Sequence, residues 1–185
     1  MLKFLLLGLA LLPLAAAAQA QVKLPPGTLR WLASRPLTVA DFRGRPQADN
    51  PHAALTSANI NSGASCRDGE SAGTARASFD PATSWVRDPA HMSAALLRHE
   101  QLHFDIAEVY ARRLRQQLAA LHVPCEKMGP AFNRIGQAGY AAWQQTEDAY
   151  DRDTSHGLNH ERQAAWEVQV QQQLAELAAF AEPEA

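Results

Sequence analysis

The chain has 185 residues, with 17 Lys or Arg and 19 Asp or Glu, and its formal net charge is −2. A balance so close to neutral gives no electrostatic basis for binding nucleic acid or an anionic lipid surface. The length suits one domain with its own core, and we expect a single domain over residues 21–185. Arg112, Arg113 and Arg115 form the one basic cluster, which we interpret as a solvated helix face.

The first 20 residues are typical of a secretory signal peptide. Lys3 precedes an apolar run from Phe4 to Ala18, and the small residues up to Ala20 offer a cleavage site. The run is shorter than the roughly 20 residues that span a bilayer, and Pro13 interrupts it, so we expect no stable membrane anchor. We therefore predict cleavage after Ala20 and a location in the periplasm or the medium.

The first half of the mature chain predicts a small antiparallel sheet. Residues 21–36 hold three prolines around Trp31, which favours an extended segment without a long helix. Three short stretches rich in β-branched and aromatic residues predict strands, namely ALTSANI, GTARASF and TSWV. The polar, glycine-rich stretch NSGASCRDGESAG between the first two is predicted to be a loop.

Helix dominates the sequence from residue 88 onward. Asp88 is the predicted cap and Pro89 the first residue of a long helix, whose apolar residues keep helical spacing until Pro124 ends it. A weaker pattern over about 130–148 predicts a second helix, and Asn159 is the predicted cap of a third. The predicted core residues of the second helix are Phe132, Ile135, Tyr140 and Trp143. The fold class is therefore α+β, with the sheet followed by a long helix and C-terminal helices.

Two cysteines, Cys66 and Cys125, remain in the mature chain. An exported protein meets an oxidising compartment, so we expect one disulfide between them. The bond would join the polar loop to the helical half and close a loop of about 59 residues. The entropy that the unfolded chain loses in this way corresponds to a stabilisation of about 4 kcal/mol. Neither cysteine has a partner at C-x-x-C spacing, which argues against a cysteine-based metal site.

The stretch RHEQLHFDIAE, residues 98–108, carries the clearest chemical signal. His99 and His103 are one helical turn apart, and Glu100 falls with them within an arc of roughly 100° around the helix. Two imidazoles so placed can hold one Zn²⁺ ion, and the glutamate can take a proton from a water on that ion. This H-E-x-x-H pattern is typical of zinc peptidases, with Glu100 as the catalytic general base. Chance would produce the pattern in roughly one such chain per hundred.

A catalytic zinc site needs a third protein ligand, for which the sequence leaves two main candidates. His156 ends the aperiodic stretch YDRDTSH, and Gly157 after it allows a sharp turn. Glu147 stands in a Glu-x-x-x-Asp spacing with Asp151, which resembles the third-ligand helix of thermolysin-like peptidases. We favour His156 and keep Glu147 as its rival. Asp151 is predicted either to accept a hydrogen bond from a ligand histidine or to cap a turn. Tyr150 is predicted either to donate a hydrogen bond to the oxyanion of the tetrahedral intermediate or to fill the core.

The segments LRHEQLHFDIAEVYARRLR and YDRDTSHG, followed by the Gln-x-x-Trp pattern that begins at Gln163, resemble a bacterial family of unknown function. Members of that family are described as secreted zinc-dependent proteases. The resemblance runs from about Trp31 to Trp166 and implies a small zincin-like fold. The metal positions that it implies are His99, His103 and His156, with Glu100 as the general base.

These observations predict a secreted or periplasmic zinc metallopeptidase that acts on peptide or protein substrates. A second hypothesis is a non-catalytic envelope protein that holds the same metal with four protein ligands. A third is a metal-dependent amidase that acts on cell-wall peptides. None of the three requires a nucleic-acid partner.

Overall fold

The computed structural model describes residues 22–67 and 69–183, so the predicted signal peptide lies outside the described residues. In the described part of the chain, five strands precede three α-helices. The strands are β1 (Leu29–Arg30), β2 (Ala54–Leu55), β3 (Ala58–Arg67), β4 (Glu70–Phe79) and β5 (Trp85–Val86). The helices are α1 (Ala94–Ala119), α2 (Cys125–Thr154) and α3 (His160–Glu176). This order and the antiparallel pairing of the strands confirm the predicted α+β class.

A long hairpin dominates the sheet. β3 pairs with β4 in antiparallel register, from Ala58 opposite Phe79 to Arg67 opposite Glu70, and β1 pairs with the other edge of β4. The prediction of a loop for NSGASCRDGESAG is therefore wrong, because residues 61–67 of this stretch belong to β3 and residues 70–73 to β4. Gly69 directly precedes β4 and has a φ of 81°, which glycine adopts without strain.

A disulfide joins this hairpin to the helices. Cys66 near the end of β3 and Cys125 at the start of α2 are bonded, with their Cα atoms 5.7 Å apart. The predicted disulfide is thus confirmed. It connects two segments with a sequence separation of 59 residues, so it constrains a large part of the unfolded chain.

Helix α1 is the centre of the core. It packs against β4, α2 and α3, and also contacts β2 and β3. Apolar residues around its circumference are buried, including Phe104, Ile106 and Val109. Phe104 packs against Phe79 of β4, with ring centroids 5.8 Å apart. Because other elements surround the helix, several of its polar residues are buried as well, among them His99.

The start of α1 differs from the prediction, whereas the start of α3 agrees with it. Ser93, not Asp88, caps α1, and its Oγ accepts a hydrogen bond from the amide of Leu96 at 3.1 Å. Asp88 instead precedes the short 3-10 turn Pro89–His91. The predicted cap of α3 is confirmed, since Asn159 accepts a hydrogen bond from the third amide of that helix at 3.1 Å.

Helix α2 is longer than the predicted span of 130–148. Its last turns continue because the side chains of Tyr150 and Thr154 are fully buried, and tertiary packing stabilises a helix that its own polar sequence does not reveal. Although α2 is 30 residues long, no helix in the described segments has the length and apolar character needed to cross a membrane.

Two predictions about exposure are wrong. Tyr140, a predicted core residue, is exposed, and its ring packs edge-on against the buried Trp143. Arg112 and Arg115, which are predicted to lie on a solvated face, are buried. Their guanidinium groups both donate to Glu108, and this pairing is what allows the two charges to lie inside the fold.

Asp41 organises the short 3-10 turn Val39–Asp41. Its carboxylate accepts hydrogen bonds from the Arg35 guanidinium at 2.7 Å and from the Thr38 amide at 2.8 Å. Burial alone would raise the pKa of Asp41, but these contacts outweigh burial and hold that pKa below its usual 3.8.

We expect Asp41→Asn to lower the free energy of unfolding by about 1 kcal/mol at pH 7. Because the folded-state pKa is lowered, the carboxylate stabilises the fold above pH 3.8 and loses this effect as the pH falls through the folded-state value. The difference between the two proteins should therefore shrink below that pH. Urea unfolding of both proteins across this range measures it, and a constant difference would contradict the role assigned to Asp41.

Candidate metal centre

Helices α1 and α2 bring the candidate site together where they pack against each other. The first three turns of α1 carry His99, Glu100 and His103, and the last turn of α2 carries Asp151. All four side chains line one cavity of about 810 Å³. The predicted H-E-x-x-H face of α1 is therefore directed at the end of α2.

Three side-chain atoms converge in this cavity. Nε2 of His99 lies 3.3 Å from Nε2 of His103, and each of them lies 3.2 Å from Oδ1 of Asp151. Zinc with bonds of about 2.0 Å places its tetrahedral ligands about 3.3 Å apart. The three atoms thus match three corners of a tetrahedron of that size. Among the described residues, this is the only cluster of three or more His, Cys, Asp and Glu side chains close enough to share an ion.

The arrangement fits a cation. Oδ1 of Asp151 is buried, and it has no hydrogen-bond partner among the described residues. A buried carboxylate oxygen without a partner is costly, and it needs an explanation such as an ion. The ring nitrogens of His99 and His103 face the same oxygen, so a divalent ion between the three atoms would satisfy all of them.

The same arrangement of side chains shifts the pKa values of His103 and Asp151. Burial lowers the pKa of His103, but contacts with Asp151 and Glu147 outweigh it and raise that pKa well above the usual 6.5. Burial raises the pKa of Asp151, but His103 and His99 outweigh it and hold that pKa below its usual range. Asp151 is therefore ionised, as a metal ligand must be, and a bound ion would displace a proton from His103.

Gln163 and Tyr150 hold the ring of His99. Nδ1 of His99 donates to Oε1 of Gln163 at 3.2 Å, which leaves Nε2 free to face the other two donors. The Gln163 nitrogen donates to Glu167 at 3.0 Å, so the oxygen of that amide is the atom directed at His99. The buried Tyr150 ring stacks on His99, and its hydroxyl lies 2.8 Å from the same Gln163 oxygen. Tyr150 is thus a core residue that supports His99.

Glu147 and Trp143 hold the ring of His103. Nδ1 of His103 donates to Oε2 of Glu147 at 2.5 Å, and Nε1 of Trp143 donates to the other carboxylate oxygen at 2.6 Å. Glu147, the rival third ligand in the sequence analysis, therefore lies behind His103 and orients it. Asp151, one turn further along α2, is the carboxylate that faces both imidazoles.

Glu100 is buried beside the donor group. Its Oε2 accepts a hydrogen bond from the Thr56 hydroxyl at 2.7 Å, and the same hydroxyl lies 3.2 Å from the Glu100 carbonyl oxygen. Thr56 directly follows β2, which places the end of that strand against the H-E-x-x-H turn of α1. The carboxylate is consequently held in one orientation in the cavity wall.

His156, the predicted third ligand, lies to one side of the three donors. Its Nδ1 is 3.4 Å from Oδ1 of Asp151, its side chain is 53% exposed, and its ring packs against that of His52. It has a left-handed backbone with a φ of 53°, and Gly157 follows with a φ of 82°. A Cβ on Gly157 would lie 3.0 Å from the Cβ of His99. His156 contacts the third donor without joining the group of three, and its role as a ligand stays a prediction.

Residues 37–157 match a family of bacterial proteins of unknown function, DUF922, over more than half of the chain. The chain belongs to the DUF922 family. No curated protein and no solved structure matches it. The DUF922 segment contains all three donors and Glu100. Because DUF922 has no assigned function, membership supports the bacterial family and leaves the protease activity as a hypothesis.

Three residues of this DUF922 chain have roles in the site that its sequence does not predict. Asp151 is the third donor, and its spacing of four from Glu147 was the signal that both carboxylates share one helix face. Gln163 belongs to the Gln-x-x-Trp pattern and lies beyond the DUF922 match, but no local spacing pairs it with His99. Thr56 carried no signal, since its contact with the site depends on how β2 packs.

We expect Asp151→Asn to weaken zinc binding by more than the roughly 10–100-fold that loss of a supporting hydrogen bond costs, because it removes one of three donors. His156→Ala is the control in the same DUF922 cavity, and it should change the dissociation constant only slightly since all three donors remain. Competition with a chromogenic zinc chelator measures both constants. The reverse order of effects would identify His156 as the third ligand.

Proposed function

We propose that this DUF922 protein is an exported zinc metallopeptidase. The observation that carries the proposal is the group formed by His99, His103 and Asp151, whose donor atoms are spaced for a tetrahedral ion. Catalytic zinc sites commonly use three protein ligands and leave one position for water or substrate. Glu100 lines the same cavity, where it is available as a general base. Its position supports a catalytic role for the metal over a purely structural one.

The ligand set also bears on which metal is bound. Two imidazoles and one carboxylate are a ligand set that non-haem iron uses as well. Zinc accepts the same donors, and the H-E-x-x-H turn on a helix is typical of zinc peptidases, which is why we propose zinc.

In the proposed mechanism, Glu100 is the general base. The chemistry that zinc supplies in such a site is polarisation of the substrate carbonyl and acidification of a water molecule. The Glu100 carboxylate takes a proton from the attacking water and later gives it to the leaving amine. Thr56 holds that carboxylate through one oxygen. Gln163 and Glu147 orient the imidazoles of His99 and His103, which together with Asp151 would hold the ion.

The proposed location is the periplasm or the medium. The disulfide between Cys66 and Cys125 supports it, because such bonds persist mainly in oxidising compartments. The predicted signal peptide, residues 1–20, provides the route of export. Cell fractionation, together with the mass of the mature chain, tests both export and cleavage after Ala20.

Metal content and peptide hydrolysis test the proposal together. The mature chain should bind one zinc per molecule and cleave an unbiased library of blocked peptides. A chelator should abolish that activity, and added zinc should restore it. A chain that is fully loaded with zinc but cleaves neither peptides nor cell-wall peptide links would overturn the proposal.

A non-catalytic zinc protein is the second candidate, and the position of His156 favours it. Its Nδ1 is only 3.4 Å from Asp151, so a small rotation of the ring could close the site with a fourth protein ligand. X-ray absorption spectra of the zinc-loaded chain count the ligands. Three imidazoles around zinc, with no hydrolysis, would favour this candidate, whereas two imidazoles and a water would favour the enzyme. An amidase of cell-wall peptides would share the second spectrum and cleave purified peptidoglycan.

A further inference from the structure

The charged or titratable side chains that line the cavity around the donor group are carboxylates and histidines. Its walls include Glu100, Glu147 and Asp151, and none of the described residues that line it is Lys or Arg. Three carboxylates and one divalent ion would give a formal sum of −3 + 2, or −1. A substrate carboxylate placed here would have no Lys or Arg to pair with. Outside the donor group, the basic side chains of the wall are His52, His156 and His160. His156 already lies beside Asp151, His52 packs against His156, and His160 is exposed, so burying a carboxylate next to the three carboxylates would be unfavourable.

Each of the three carboxylates already has a task. Glu100 accepts from Thr56, and Glu147 accepts from both His103 and Trp143. Asp151 faces the two imidazoles. None is left over to bind the ammonium group of a free N-terminus, which would need a carboxylate of its own for a charge-assisted hydrogen bond.

Apolar and small side chains supply much of the remaining wall. Leu55 and Leu96 are half-buried and Trp143 is buried, whereas Leu158 is 80% exposed and so marks the rim. Four alanines also line the cavity and leave room for a bound chain. The volume of about 810 Å³ lies within the roughly 300–1,000 Å³ of typical ligand sites. These walls suit uncharged side chains, which gain by leaving water.

On the basis of the proposed function, we infer that the site is that of an endopeptidase that prefers uncharged, apolar segments. A bond in the interior of a chain has no terminal charge beside it, which suits walls that offer no partner for one. Release of a C-terminal residue would be favoured by a permanent positive charge near the ion, and release of an N-terminal residue by a free carboxylate. The described walls of the cavity contain no Lys or Arg, and each of their carboxylates already has a partner in the site.

Three series of fluorogenic peptides test the inference on the zinc-loaded mature chain. In the first, both ends are blocked and apolar residues flank the central bond. In the second, the same bond is followed by one residue with a free carboxylate. In the third, Asp replaces the flanking residues. We expect kcat/KM to be at least about tenfold higher for the first series. Equal or faster cleavage of the second or third would overturn the inference and leave the proposed function intact, whereas no cleavage at all would overturn both.

A charge added at the rim provides a second test. Leu158→Arg places a cation beside the cavity at an exposed position, so the fold should be retained. We expect it to raise kcat/KM for the carboxylate-ended and Asp-flanked peptides relative to the apolar series. Val168→Arg is the matched control, since Val168 is 69% exposed on α3 and does not line the cavity. An unchanged preference in Leu158→Arg, with zinc bound, would contradict the inference.

Discussion

Glu100→Gln is expected to lower kcat/KM by roughly 10²–10⁴-fold while zinc remains bound. The amide keeps the size of the side chain and can still accept the hydrogen bond from Thr56, but it cannot take a proton from water. Glu100 is not one of the three donors, so the zinc dissociation constant should be unchanged. Steady-state hydrolysis of a blocked peptide, with zinc content measured on the same sample, gives both quantities.

Glu147→Gln is the matched control, because it makes the same chemical change in the same cavity. Glu147 accepts the Nδ1 proton of His103 and so supports a ligand rather than the reaction itself. We expect this variant to lose roughly 10–100-fold in zinc affinity and to keep most of its turnover once zinc is in excess. If Glu100→Gln hydrolysed peptides at the full rate, Glu100 would not be the base.

The H-E-x-x-H turn shows what the sequence alone could predict. His99, Glu100 and His103 belong to one strongly periodic helix, so their common face follows from helical geometry without knowledge of any other element. The same holds for the cap of α3, which depends on Asn159 and a nearby amide. Such features depend only on residues that are close together in the chain, so they can be predicted from the sequence alone.

The third donor could not be predicted in this way, because it depends on how two helices pack. Asp151 and Tyr150 lie in a stretch so polar that it suggested a break in helix α2. Tyr150 is buried there and Asp151 is half-buried. Oδ1 of Asp151 faces the imidazole of His99 on α1, and the Tyr150 hydroxyl donates to the amide oxygen of Gln163 on α3. A single sequence carries no signal for such pairs. The prediction therefore favoured His156, which precedes Gly157, and its role as a ligand remains a prediction.

The hairpin was missed for a different reason. The residues in the outer half of the hairpin are small and polar, which is typical of a loop. Asp68 and Gly69 nevertheless form an Asp-Gly pair, which is a strong hairpin signal in a sequence. The ladder of β3 and β4 and the Cys66 disulfide supply the stabilisation that side-chain hydrophobicity does not. Strand propensity in such a segment depends on its partner strand more than on its own composition.

Buried charges on α1 lead to the largest effect that we expect on stability. Oε1 of Glu108 accepts from Nε of Arg112 at 2.9 Å and from Nη2 of Arg115 at 2.6 Å, and all three side chains are buried. The two guanidinium groups also donate to backbone carbonyls of β4, of α3 and of the 3-10 turn Ala178–Phe180. These carbonyls are those of Ala75, Leu174 and Phe180. Glu108 is thus the one described carboxylate that pairs with both guanidinium groups in a network that ties α1 to three other parts of the fold.

Glu108→Ala should lower the free energy of unfolding by about 3–5 kcal/mol, because it leaves two buried cations without their shared carboxylate. Glu176→Gln on the exposed end of α3 is the control, and it should change stability by less than about 0.5 kcal/mol. Urea unfolding at pH 7, with the disulfide oxidised and zinc removed by chelator, measures both variants. A loss below about 1 kcal/mol for Glu108→Ala would mean that water reaches the guanidinium groups and that the network contributes little to the fold.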